Sequence, residues 1–242
     1  MRGFWSALAF MTRIPVPARW LHSDGWRSSS GFYPAVGGVI GLCLAGFNWL
    51  TEPWLPPWIR TVLVVGVWVR LTGGLHLDGL MDTADGMGAN RDREQTLAIM
   101  KDSRVGAMGV LAALFVILVK MAAVHDMGIH ATVALFSAPV AGRMAILSAL
   151  YFWPYVRQDG IGSQLKASLT GWQMAGAWAF GIILLAVAGG GFAMLPLIVT
   201  LVVTVWMAWR VIRRVGGLTG DVYGAIVEVT EAAVLVAFCV WR

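Results

Sequence analysis

Seven long apolar runs set the limits on this chain, at roughly 35–51, 59–80, 106–124, 132–153, 172–188, 192–210 and 222–240. Each is long enough to cross about 30 Å of hydrocarbon as a helix. A composition of 58% apolar and only 13% charged residues is too oily for a water-soluble domain of 242 residues. The expected fold is therefore all-α: a polytopic transmembrane helix bundle of about seven spans. It forms one integral membrane domain over 1–242, with 1–34 a cytoplasmic or interfacial segment and 35–242 the bundle. The run from Phe4 to Met11 is short and is followed by Arg13, Pro15 and Pro17. It reads as an amphipathic segment on the membrane surface, not as a cleavable signal peptide. Gly189, Gly190 and Gly191, with Pro196 just inside the next run, predict a tight turn and a helical hairpin between the fifth and sixth spans.

Charge in the connections gives an independent orientation, because cytoplasmic loops collect Lys and Arg. Basic residues sit before the first span (Arg2, Arg13, Arg19, Arg27), after the second (Arg91, Arg93, Lys101, Arg104), after the fourth (Arg157, Lys166) and before the last (Arg210, Arg213, Arg214). The intervening connections are nearly free of them. A cytoplasmic amino terminus satisfies this alternation. The net charge of +5 is modest and reports contact with anionic membrane lipid, giving no case for nucleic-acid binding. Cys43 and Cys239 lie in apolar stretches without the paired spacing of a zinc or redox site, and are expected to be small buried apolar residues.

The stretch with the most chemistry is Gly73-Gly74-Leu75-His76-Leu77-Asp78-Gly79-Leu80-Met81-Asp82-Thr83-Ala84-Asp85-Gly86, at the end of the second apolar run. On a helix, Asp82 lies about 40° around from Asp78 and Asp85 about 20° the other way, so all three carboxylates share one face. Like charges at the edge of a bilayer need a cation, a basic partner or protonation. A divalent metal meets that need best, and magnesium prefers hard oxygen ligands shared with substrate phosphate. The plain alternative is three solvated aspartates ending a helix, at the end the helix dipole disfavours. His76 lies about 160° from Asp78 on a continuous helix, so a catalytic role competes with simple packing.

Other candidates fall on the same side of the membrane. Lys101 and Arg104 suit phosphate binding, with lipid-facing positive charge as the alternative. Asp221 opens the last span, and Glu228, seven residues on, lies on the same face two turns deeper. An acid inside a span is a functional candidate by default. Glu228 is accordingly a candidate metal ligand, with an ion pair to Arg143, Arg70 or Lys120 as the other reading. Carboxylates that hold metal beside basic residues suit phosphoryl or phosphodiester transfer. A cation transporter would also use such oxygens, and would need polar residues near the midplanes of several spans.

Ordered blocks along nearly the whole chain resemble the cobalamin synthase family, the adenosylcobinamide-GDP ribazoletransferases. They are Phe10–Pro17, Tyr33–Gly37, the aspartate block above, Ile99–Gly106 and Gly217–Ala225. The resemblance implies a magnesium-requiring late step of cobalamin (vitamin B12) assembly in the prokaryotic inner membrane. Adenosylcobinamide-GDP is joined to α-ribazole or its 5′-phosphate, and GMP is released. It further implies metal held by Asp78, Asp82 and Asp85 with Asp221 completing the site, Asp82 or Asp85 as base, and Lys101, Arg104 and Arg13 on phosphates. A membrane location would keep the amphiphilic intermediate near other cobalamin-assembly enzymes, its candidate partners. The aspartate spacing is also faintly similar to the CDP-alcohol phosphotransferases, but the chain lacks their Asp-Gly-x-x-Ala-Arg arrangement.

Overall fold

The computed structural model describes residues 2–157 and 161–241. Within them the chain is helical, and its one piece of β pairing is an isolated bridge between Tyr155 and Leu218. The helices are α1 (Arg2–Met11), α2 (Ser23–Arg27), α3 (Tyr33–Thr51), α4 (Pro57–Thr72), α5 (Leu75–Gly88) and α6 (Arg93–Ile99). They continue with α7 (Ala107–Asp126), α8 (Ala131–Phe152), α9 (Ile161–Ser168), α10 (Gly171–Gly189), α11 (Met194–Val215) and α12 (Gly220–Val240).

Among the described residues, five helical stretches are long and apolar enough to cross a membrane, or six if the bent pair α4–α5 is one span. Two features separate this count from the expected seven. The stretch 171–215 is one helical run of 45 residues, broken into α10 and α11 by a 3-10 turn at Gly190–Ala193, where the glycine-rich turn was expected. The second expected span is not straight. Gly73 and Gly74 both adopt left-handed backbone (φ 63° and 69°), and α5 leaves α4 at an angle of 89°. Two consecutive residues in that region are strained for any side chain bearing a Cβ, so the glycine pair sets the position of the bend.

Helix α8 is the axis of the bundle. Nearly its whole length is buried, and α3, α12, α10 and α11 pack around it. Its tightest partner is α3. A Cβ on Gly37 would stand 2.6 Å from the Pro139 carbonyl oxygen, and one on Gly41 2.6 Å from that of Phe136. Small residues four apart let two backbones approach where lipid offers no hydrophobic drive of its own. Helix α12 packs against both α8 and α5 and links the core to the aspartate block.

The opposite pattern marks the outside. Leu111, Leu114, Phe115 and Leu118 on α7, Ile183 and Val187 on α10, and Leu201, Val202, Val205 and Trp206 on α11 are exposed. Apolar faces of this extent are solvated by lipid chains in a membrane bundle. Cys43 belongs to this outer surface and Cys239 is half-buried, so the expectation of two buried cysteines is corrected. Cys43 neighbours exposed Leu42 on the outward side of α3. The amino-terminal segment docks on the bundle: Ala7, Leu8 and Met11 of α1 are buried, and the Arg13 amide donates to the Leu71 carbonyl at 2.7 Å.

Candidate active site

The site is organised by a close crossing of α5 and α12. A Cβ on Gly79 would lie 2.6 Å from the Asp221 carbonyl oxygen, and one on Gly224 would lie 3.0 Å from the His76 carbonyl oxygen. No residue larger than glycine fits between these backbones without displacing one. The contact brings the start of α5 against the start of α12, and with it Asp78 and Asp221 into the wall of one cavity of about 450 Å³. Four of the five resembling blocks contribute to that wall, through Phe10, through Tyr33, through His76, Asp78 and Gly79, and through Asp221, Tyr223 and Gly224.

The bend at Gly73–Gly74 changes the electrostatics of the aspartates. Asp78 lies in the first turn of α5, where the dipole favours a carboxylate. The expectation that the aspartates occupy the unfavourable end of a helix is corrected for Asp78, because a new helix begins at Leu75; Asp85 does lie in the last turn of α5. Asp82, partly exposed one turn on, lies within electrostatic reach of Asp78, Asp85, Asp221 and Arg157. Asp85 is turned toward α7: its carboxylate accepts from the amides of Gly106 at 2.7 Å and Gly109 at 2.8 Å. These amides have no partner within α7, so Asp85 caps that helix from outside.

Asp221 is met by a cation. Arg157 donates to its Oδ2 at 2.7 Å, and the Thr219 hydroxyl donates to the same oxygen at 3.2 Å. Thr219 also caps α12 by accepting from the Val222 amide. Tyr155 and Tyr223 stack across the cavity wall with ring centroids 5.8 Å apart. Burial raises the Tyr155 hydroxyl above its ordinary range and keeps it protonated. The loop carrying Tyr155 and Arg157 is pinned by the Val156 amide donating to Leu218 and the Leu218 amide donating to Pro154. Lys166 on α9 donates to the carbonyls of Leu150, Tyr151 and Trp153, closing the end of α8 beside that loop. Arg157 and the tyrosines were not singled out as site residues from sequence. Arg157 stood there as one charge in a polar connection, and only the pairing across the chain distinguishes it.

Glu228 is not brought to the aspartates. It accepts from Lys120 at 2.8 Å, and Glu231 accepts from Lys120 at 2.6 Å and also from Arg143. All four side chains are at most 5% exposed, and Lys120 lies over the Trp68 ring at 4.2 Å. The ion-pair alternative describes this geometry, with Glu231 as a further member. His76, buried at 3% exposure, lies between the two regions: it lines the cavity and stands within electrostatic reach of Arg143 and Lys120. Its Nε2 has no hydrogen-bond partner among the described residues.

The three basic candidates lie outside the cavity wall. Arg13 is exposed and packs across Gly73, and Lys101 is exposed after α6. Arg104 forks onto Asp102 through contacts of 2.6–3.1 Å and holds that exposed carboxyl down at about 2. Arg104 and Asp102 border a separate, smaller hollow of about 240 Å³ shared with Asp85.

Among the described residues no three His, Cys, Asp or Glu side chains converge closely enough to hold a metal ion by themselves. The donor set fits magnesium in its usual open mode, in which one or two carboxylates share the ion with water and substrate phosphate. Asp78 and Asp221, both in the cavity wall, are the two carboxylates that would be available to it there.

The chain is similar to known proteins over its whole length. A family model described as cobalamin-5-phosphate synthase matches residues 3–239. The adenosylcobinamide-GDP ribazoletransferase of Brevibacillus brevis is 44% identical over 97% of this chain and 96% of its own. The protein of the same name from Pseudomonas syringae pv. syringae is 42% identical over 97% of this chain and 98% of its own, and that of Thermosynechococcus vestitus 36% over 99% and 98%. No solved structure matches. By its full-length match in sequence, this helical membrane protein belongs to the cobalamin-5-phosphate synthase family.

Proposed function

We propose that the chain joins adenosylcobinamide-GDP to α-ribazole or its 5′-phosphate, releasing GMP and forming adenosylcobalamin or its 5′-phosphate. The step depends on magnesium and takes place at the cytoplasmic face of a prokaryotic inner membrane, in contact with membrane lipid. The observation that carries this reading is the cavity in which Asp78, Asp221 and Arg157 meet. The names of the full-length relatives supply the substrates. The alternation of basic connections supports an amino terminus in the cytoplasm and a site on that side.

In this reading the 3′-hydroxyl of the ribazole attacks the phosphorus that carries the cobinamide. A new P–O bond forms, the pyrophosphate bridge breaks, and GMP departs with the bridging oxygen. Asp82 accepts the hydroxyl proton; it is the better base of the two aspartates considered, because both Asp85 oxygens already accept backbone amides. Asp78 and Asp221 are the residues that would hold magnesium, which when bound offsets negative charge on the pyrophosphate. Arg157 places a fixed cation beside the same phosphates, and His76 offers its unpartnered Nε2 to the substrate. The cavity suits the nucleotide end of the donor and leaves the corrinoid ring outside. Arg13, Lys101 and Arg104 then serve the approach of anionic substrate from outside the wall.

The test is product formation by purified protein in lipid, given adenosylcobinamide-GDP and either ribazole form. Equimolar GMP and the complete corrinoid are expected. Absence of both from folded protein, with turnover of a CDP-linked lipid instead, would transfer the reading to the CDP-alcohol class.

A further inference from the structure

Helix α11 changes character along one face. Two rows of residues four apart run down it: Leu201, Val205, Trp209, Arg213 and Val202, Trp206, Arg210, Arg214. The apolar members line a groove of about 510 Å³, with Trp209 at its end. Trp209 also borders the next hollow, of about 410 Å³, lined by Arg210, Arg213 and Arg214 together with Met87 in the last turn of α5 and Asn90 just beyond it.

The second hollow is built as well as charged. Arg214 donates to the Asn90 side-chain oxygen at 3.0 Å, and Asn90 holds a left-handed backbone conformation (φ 49°) to present it. The Arg213 guanidinium lies over the Trp209 ring at 4.7 Å. Arg93 donates to the Val215 carbonyl at 2.8 Å, adding a fourth cation at this end of α11. Among the described residues no carboxylate lies within ion-pair distance of Arg210, Arg213 or Arg214.

We infer that this face is a binding site for an anionic phospholipid, its phosphate among the three arginines and one acyl chain along the apolar groove. Charge complementarity selects an anion, since three guanidiniums with no carboxylate partner among the described residues surround a polar hollow. Continuity with the groove selects a lipid over a free anion: the two hollows share Trp209, and Leu201 to Arg214 spans about 20 Å of helix. Tryptophan at the junction of polar and apolar zones is the side chain expected at headgroup level. The site is separate from the reaction cavity, with which it shares no lining residue.

The test is native mass spectrometry of the full-length protein, titrated with phosphatidylglycerol or phosphatidylcholine of matched acyl chains. Preferential retention of phosphatidylglycerol is expected. It should weaken at least about tenfold in Arg210→Gln/Arg213→Gln/Arg214→Gln. It should persist in Arg2→Gln/Arg19→Gln/Arg27→Gln and in millimolar inorganic phosphate. Equal retention of the two lipids, retention by the α11 variant, or displacement by phosphate would overturn the inference, the last by marking a free-anion site. Should the α11 variant fail to fold, wild-type protein decides with brominated acyl chains. Brominated phosphatidylglycerol should quench tryptophan fluorescence more than the brominated choline lipid, with the excess lost in Trp206→Phe/Trp209→Phe. Equal quenching would contradict the site.

Discussion

Gly79 and Asp221 meet backbone to backbone: a methyl group on Gly79 would stand 2.6 Å from the Asp221 carbonyl oxygen. That contact sets the spacing of α5 and α12, and so the distance between the carboxylates at their amino-terminal ends. Gly79→Ala must push the helices apart, and a shift on the order of 1 Å at a reacting centre costs about a hundredfold in rate. The variant should lose GMP release by about that factor. Gly46→Ala, at a glycine with open space around it, should leave it unchanged. Equal activity of the two variants would show that the crossing does not control the site.

Asp85 and Asp78 should separate by phenotype. Asp85→Ala removes the acceptor for the Gly106 and Gly109 amides and should lower stability by about 0.5–2 kcal/mol, as loss of a helix cap does. Asp78→Asn should melt like wild type yet lose most activity. Thermal unfolding in detergent, read beside turnover, checks both.

The cluster of Lys120, Glu228, Glu231 and Arg143 is balanced, two cations against two carboxylates, and closed to solvent. Removing one member leaves a buried charge uncompensated, at about 3–5 kcal/mol. Glu231→Gln should therefore unfold the protein at much lower temperature. Lys120→Met/Glu228→Gln, which removes one charge of each sign, should cost less than the sum of its single variants. Additive losses would mean that the pair does not interact.

Arg157 is predicted to act on substrate phosphate through its place beside Asp221. Arg157→Ala should lower kcat/KM about 10²- to 10³-fold, the usual effect of removing one donor to developing charge. Arg157→Lys should recover part of it, because the charge returns without the fork. Steady-state kinetics over a range of adenosylcobinamide-GDP concentration provides the check.

The helices were legible because apolar runs of this length are at home in a bilayer and in little else, and the shared face of Asp78 and Asp82 followed from helical spacing. The bend at Gly73–Gly74 was not. Its flanks are apolar on both sides, so hydropathy runs through it, and two adjacent glycines in a membrane helix are ordinary in composition. Missing the bend put Asp78 at the wrong end of a helix. Asp221 was found because it opens a span, whereas Arg157 sits in a connection where a single arginine carries orientation as readily as chemistry. Glu228 was found as a buried acid, but its partner depends on which helix faces α12, and that is fixed by packing between distant parts of the chain.

The most direct measurement is magnesium-dependent GMP release from adenosylcobinamide-GDP and α-ribazole by wild type, Asp78→Asn, Asp221→Asn and Asp85→Asn, each shown to be folded. Activity should fall by about a hundredfold or more on chelation and in the first two variants, with Asp85→Asn retaining most of its turnover. Full activity in Asp78→Asn and Asp221→Asn, with the loss confined to Asp85→Asn, would contradict this and move the reaction to the hollow beside Arg104.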